Sequence, residues 1–153
     1  VPIIDYEQFM GNKTGDKVIV FGSNAQAFDA ALWLTVHKKQ VTIVTPNPNE
    51  DLDKQQSHHA QRFMTTALYS LGVKAYPGST IKEIGDGKVT IKTDTGVEIV
   101  LPADSIVNAA DLKPNKSLLD GISVKEKYAI GDCNEPFNIA LAIRAGNDVG
   151  RAI

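Results

Sequence analysis

Two short apolar runs flanking a small-residue helix constrain this chain more than any other feature. Val18-Ile-Val-Phe21 and Val41-Thr-Ile-Val44 are near-continuous rather than alternating, the pattern of parallel strands buried on both faces. Gly22-Ser-Asn-Ala25 punctuates the first run. A helix is expected from about Ala25 to Lys38, where Ala27, Ala30, Ala31 and Leu34 recur at helical spacing. Their face is small enough to lie close against a sheet. Strand, helix and strand over ~30 residues make a βαβ unit, and such crossovers are nearly always right-handed.

The rest of the chain extends that unit. Residues 1–16 read as a connector: an extended piece over Val1–Ile4, a helical turn over Asp5–Met10 capped by Asp5, and a polar turn over Gly11–Asp16. Thr45-Pro-Asn-Pro-Asn-Glu50 is a loop stiffened by two prolines. A long helix is expected over Asp51–Leu71, with Leu52, Phe63, Ala67, Leu68 and Leu71 as its apolar positions and Gly72 as its stop. Val73–Tyr76 is a third parallel strand. The period then changes to two. Thr80–Ile84, Lys88–Thr93 and Glu98–Leu101 alternate across turns at Gly85-Asp-Gly87 and Asp94-Thr-Gly96, an antiparallel meander. Asp104–Ala109 returns as a strand. The expected class is α/β: a Rossmann-like parallel sheet with helices on both faces and a three-stranded antiparallel β-meander. It occupies residues 17–112, followed by a return segment over 113–153.

Composition excludes several function classes. A chain of 153 residues is one domain or slightly more. Its net charge is −2 with both signs interspersed, so no basic stripe points to nucleic acid. No apolar run approaches the ~18 residues of a membrane span. The single Cys133 excludes an internal disulfide and makes a reducing, cytoplasmic compartment the default. It has no resolving partner and reads as a small residue. His58 and His59 are neighbours, so on a helix they point about 100° apart and cannot share a metal. His37, near a helix end, complements the dipole. Trp33 and Tyr69 read as packing residues. No metal site and no catalytic residue is assigned.

The turn after the first strand is the candidate binding site. A dinucleotide-binding turn uses three small residues: one for the turn, one for pyrophosphate approach, one for helix packing. Here the places are Gly22, Asn24 and Ala27, with Ser23 between the first two. Asn24 is the departure, because its side chain projects where a phosphate would sit. The helix N-terminus behind it still attracts anions. The end of the second strand, where an acidic residue would hold ribose hydroxyls, carries Thr45. The loop that follows has no Arg for a 2′-phosphate.

Two later stretches carry a family resemblance. Asp104-Ser-Ile-Val-Asn-Ala-Ala-Asp-Leu-Lys-Pro-Asn115 and Tyr128-Ala-Ile-Gly-Asp-Cys-Asn-Glu-Pro-Phe-Asn-Ile139 resemble segments of the pyridine-nucleotide disulfide reductase superfamily. The chain looks most like the C-terminal part of the multidomain NADH:flavin oxidoreductases, the group of 2,4-dienoyl-CoA reductase, 2-enoate reductase and trimethylamine dehydrogenase. The resemblance implies that Gly131 and Asp132, with Asn138 and Ile139 at a helix start, face the ribityl chain and ring of FAD. It implies that Asp111 stands where relatives carry a glycine beside the pyrophosphate, and that Asp29 lies near a Glu on the nicotinamide side.

The resemblance also implies what the chain is part of. The start at Val1-Pro-Ile-Ile and the lack of an upstream FAD-binding unit point to a piece of a longer flavoprotein. The rest would hold an FAD domain and a barrel with FMN and an iron–sulfur cluster. The leading expectation is the domain that presents NAD(P)H to FAD for hydride transfer, inactive alone, with NAD(P)H weak or absent and FAD held only in the parent. The alternative is a non-catalytic structural or regulatory module of ADP type. With the parent domains missing, Phe137, Ile139, Leu141, Ile143, Val149 and Ile153 lack their implied interdomain core, and the tail is expected either to fold back on its own domain or to exchange with a second copy, a homodimer being the favoured outcome.

Overall fold

A computed structural model describes residues 1–9 and 14–153. Part of the polar turn expected over Gly11–Asp16, namely Gly11, Asn12 and Lys13, lies outside the described residues, as does Met10. The elements run β1 (Ile3–Asp5), α1 (Tyr6–Phe9), β2 (Lys17–Phe21), α2 (Ala25–Val36), β3 (Gln40–Val44), α3 (His58–Ser70), β4 (Lys74–Tyr76), β5 (Ser79–Ile84), β6 (Lys88–Thr93), β7 (Glu98–Pro102), β8 (Ser105–Asn108), α4 (Ser117–Asp120) and α5 (Ile139–Ala152). They divide into two compact units, Val1–Asp111 and Leu112–Ile153.

The first unit holds a five-stranded parallel sheet in the order β1-β8-β2-β3-β4 and a separate three-stranded antiparallel sheet, β5-β6-β7. The expected parallel sheet and meander are both present. Residues 1–16 do more than connect: Ile3–Asp5 pairs with Ile106–Asn108 and forms the sheet's edge strand.

Side chains of β2 alternate between two cores, as the two-residue strand period requires. Val18 and Val20 join Ala27, Phe28, Ala30, Ala31 and Leu34 of α2, Leu68 of α3 and Phe9 of α1. Ile19 packs with Val44, Ile106 and the meander residues Val89, Ile91 and Leu101. Helices were expected on both faces of the sheet. Within this unit they share one core, and the meander supplies the other. The alternating strands beyond Ser79 have one apolar side to bury, and the bare face of the parallel sheet is its complement.

The helix expected over 51–71 is shorter. Asn49–Asp51 is a 3-10 turn, Asp53 adopts φ +55°, and α3 begins only at His58. Ser57 caps it, its hydroxyl accepting from the Ala60 amide at 3.4 Å. Leu68 is its one buried residue, while Phe63 is 72% exposed and Leu71 54%. Ala60, Gln61, Met64, Thr65, Ala67 and Leu68 are the residues turned at least partly inward. Phe63 lies about 100° from Met64, at the outer edge of that stripe. Helix α2 ends at Val36, two residues before the expected Lys38, which takes the left-handed conformation at φ +62° and stops the helix.

Candidate nucleotide site

Parallel strands bring their C-terminal ends to one edge, and the chain reverses its winding between β8 and β2. That crevice is where ligands of open α/β sheets bind. Phe21, Val44 and Asn108 end the three central strands there. The Gly22 amide donates to Val44 O at 3.0 Å, and the Ala109 amide to Phe21 O at 2.8 Å. Gly22 has φ +147°, and a Cβ built on it would stand 2.0 Å from Ala109 O. Both its conformation and this close approach require glycine.

Asn24 is the N-cap of α2, with an ordinary extended backbone at φ −84°. It does not use the left-handed freedom of asparagine. Its Oδ1 accepts from the Ala27 amide at 3.0 Å. Its Nδ2 donates to Ala109 O at 3.1 Å and to Asp111 Oδ1 at 3.3 Å. A backbone amide can only donate and a carboxylate only accept, so these partners fix which way the side-chain amide points. Ala27 is fully buried and lets α2 lie against the sheet.

A residue that sequence reasoning missed completes the arrangement. Asn47 Nδ2 donates to Ser23 Oγ at 2.7 Å and to Asp111 Oδ2 at 3.0 Å. Its backbone amide donates to Thr45 Oγ1 at 3.2 Å. Thr45, expected at the ribose end, is 1% exposed and turns its hydroxyl to this loop. Gly22, Ser23, Asn24, Ala27, Thr45 and Asp111 therefore do come together, joined by Asn47. Its one visible signal was its place between Pro46 and Pro48, at the mouth of β3.

The loop after β3 also closes over the start of α2. The Asp53 amide donates to Ser23 O at 2.6 Å, and the Ala25 amide to Gln55 Oε1 at 3.3 Å. Asp53 is 1% exposed, and its Oδ1 has no hydrogen-bond partner among the described residues. Burial, with the Asp29 charge as a second cause, pushes its carboxyl up to about 6. Asp29 is exposed on α2, and its charge also helps burial raise the Tyr6 hydroxyl.

At the start of α2 the Ala25 amide already serves Gln55 and the Ala27 amide serves Asn24, and the Asp111 carboxylate stands against the side-chain amides of Asn24 and Asn47.

The remaining expected positions lie in the second unit. Gly131, at φ +67°, opens the 3-10 turn Gly131–Cys133, and Asp132 is exposed. Asn138 caps α5, its Oδ1 accepting from the Leu141 amide at 2.9 Å. Ile139 is 79% exposed. Cys133 is exposed with its thiol 3.1 Å from Ile130 O. No cluster suited to a metal ion occurs among the described residues. No helix among them is long and apolar enough to cross a membrane.

Known proteins share this architecture. The family model described as pyridine nucleotide-disulphide oxidoreductase matches residues 2–130. A cinnamate reductase of Clostridium sporogenes is 31% identical over 144 residues, covering 91% of this chain and 21% of the relative. The structure of a 2-naphthoyl-CoA reductase in complex with 2-naphthoyl-CoA is 25% identical with a TM-score of 0.77, covering 99% of this chain and 23% of that one. Histamine dehydrogenase from Rhizobium sp. 4-9, at 20% identity, shares the fold with a TM-score of 0.79 over 99% of this chain and 26% of its own. The chain thus spans about a quarter or less of the length of these relatives.

Proposed function

Because this chain belongs to the pyridine nucleotide-disulphide oxidoreductase family, we propose that it is the pyridine-nucleotide-type domain and return segment of a longer flavin-dependent oxidoreductase. In this reading its own nucleotide site has lost NAD(P)H. The share of the relatives that it spans supports the first half: it matches through 91% of its length yet covers 21% of a reductase. By the resemblance, FAD, FMN and an iron–sulfur cluster belong to the parts beyond this chain. The domain alone has no turnover, and its contribution in the parent is architectural.

The observation that carries the second half is the Asn24–Asp111–Asn47 network at the switch point. Its fixed polar groups and negative charge lie beside the start of α2, on the sheet edge where ligands of such folds bind, which supports weak diphosphate binding. Calorimetric titration of the chain with NADH, NADPH, ADP and AMP tests this. NADH and NADPH are expected to bind no better than roughly 100 μM, about −5.5 kcal/mol. A low-micromolar NADH constant would sink the reading. Micromolar ADP beside weak NADH would instead favour a regulatory nucleotide module.

A further inference from the structure

The departures at Asn24, Thr45 and Asp111 look independent in the sequence, but one hydrogen-bonded network joins all three. We infer that Asp111 is an internal stand-in for a phosphate: held by the Asn24 and Asn47 side-chain amides, its carboxylate closes the cradle to diphosphates and sets the ligand specificity of the site. The inference rests on the weak-binding reading above and gives it a cause.

The chemistry matches on both sides. A carboxylate and a phosphate are acceptor-only anions, so donors that hold one can hold the other. Asn24 donates to one Asp111 oxygen and Asn47 to the other. The start of a helix favours negative charge, yet α2 has no acidic residue in its first turn. Asp111 supplies that charge through the N-cap side chain. Asn24 itself is no conformational obstacle, since its backbone is extended and unstrained. Replacing it by glycine leaves Asp111 and Asn47 in place and removes a cap. The block is therefore cooperative, with the Asp111 carboxylate, held from both sides, at its centre.

The test uses the full chain with inorganic pyrophosphate, ADP and adenosine as probes. Asp111→Gly is expected to tighten ADP and pyrophosphate about tenfold or more and to leave adenosine within twofold. Asn24→Gly alone is expected to change ADP by less than threefold. Asp111→Asn keeps the volume and guards against misfolding, and a gain of at least threefold for ADP is expected. Nitrogen–proton correlation spectra add an independent readout: the side-chain amide signals of Asn24 and Asn47 should both move in Asp111→Asn. Unchanged ADP constants in both Asp111 variants, an adenosine gain equal to that of ADP, or unmoved amide signals would each overturn the inference. Wild-type constants alone judge the weak-binding reading, and variant-to-wild-type ratios alone judge the role of Asp111, so the two can fail separately.

Discussion

The unit Val1–Asp111 and the unit Leu112–Ile153 obey the same packing physics with opposite outcomes. Every buried residue of the described chain precedes Leu112. The first unit closes two cores around its parallel sheet. In the second, α5 turns Leu141, Ala142, Ala145, Gly146 and Val149 partly inward, yet Ile139, Ile143 and Ile153 are 67–81% exposed. A helix draws most of its stability from a buried apolar face. Helix α5 is thus amphipathic in sequence without a full core to match. The contrast is one of burial: the first unit encloses its apolar residues, and the second leaves the large apolar side chains of α5 in solvent.

Glycine substitutions in the two units are expected to differ most in their effect on stability. Gly22→Ala puts a Cβ 2.0 Å from Ala109 O at φ +147°, so strand β8, the turn or both must move. A loss of roughly 3 kcal/mol or more is expected from the clash and backbone strain together. Gly150→Ala in α5 meets nothing within 4 Å. It is expected to change stability by less than about 1 kcal/mol, in the stabilising direction of helix propensity. Urea melts of the two variants would measure both. Equal effects would erase the distinction between the units.

How much of this was legible in the sequence follows the same divide. The βαβ unit was readable because continuous apolar runs and an alanine face leave few alternatives, and the meander because glycine turns mark each reversal. Asn24, Thr45 and Asp111 were each visible as departures. Their mutual contact was not, because only the strand order β8-β2-β3 brings positions 24, 47 and 111 to one edge. Asn47 was hidden in a proline loop. Asp53 was read as helix because Leu52 continues an apolar spacing, whereas its left-handed backbone and the Ser57 cap start α3 later. Phe63 fitted a helical pattern loosely and proved exposed, since spacing cannot say which stripe meets the sheet.

The next effect in size is a pH dependence confined to the first unit. Folding raises the Asp53 carboxyl from its ordinary 3.8 to about 6. Between those values the folded protein holds a proton that the unfolded chain has lost. Stability from this group is therefore greatest below about pH 4, falls as pH rises to about 6, and is flat above. The loss is about 3 kcal/mol. Asp16 and Glu98, held low by Lys39 and Lys82, act with the opposite sign as pH falls through the carboxylate range. Comparing wild type with Asp53→Asn cancels their share. The variant is expected to be more stable at pH 7 by about 3 kcal/mol and nearly equal near pH 4. A constant difference across the range would show that folding leaves the Asp53 carboxyl at its ordinary value.

The smallest expected change in stability comes from the largest deletion. If every buried residue precedes Leu112, a chain ending at Leu119 keeps both cores and Asp111. Its melting temperature is expected within about 4 °C of the full chain, the equivalent of roughly 0.5–1 kcal/mol. The association state should change instead. Ile139 and Ile143 lie one turn apart on α5 at 79% and 67% exposure. An uncovered apolar face of this kind favours burial at ~25 cal/mol per Å², and a second copy offers the same face by symmetry. Sedimentation of the full chain is expected to show a concentration-dependent dimer, and the version ending at Leu119 a monomer. A full chain that stays monomeric at high concentration ends the self-association proposal. A shortened chain that loses its cooperative melt would mean that the first unit leans on the second, and the contrast between them would fail.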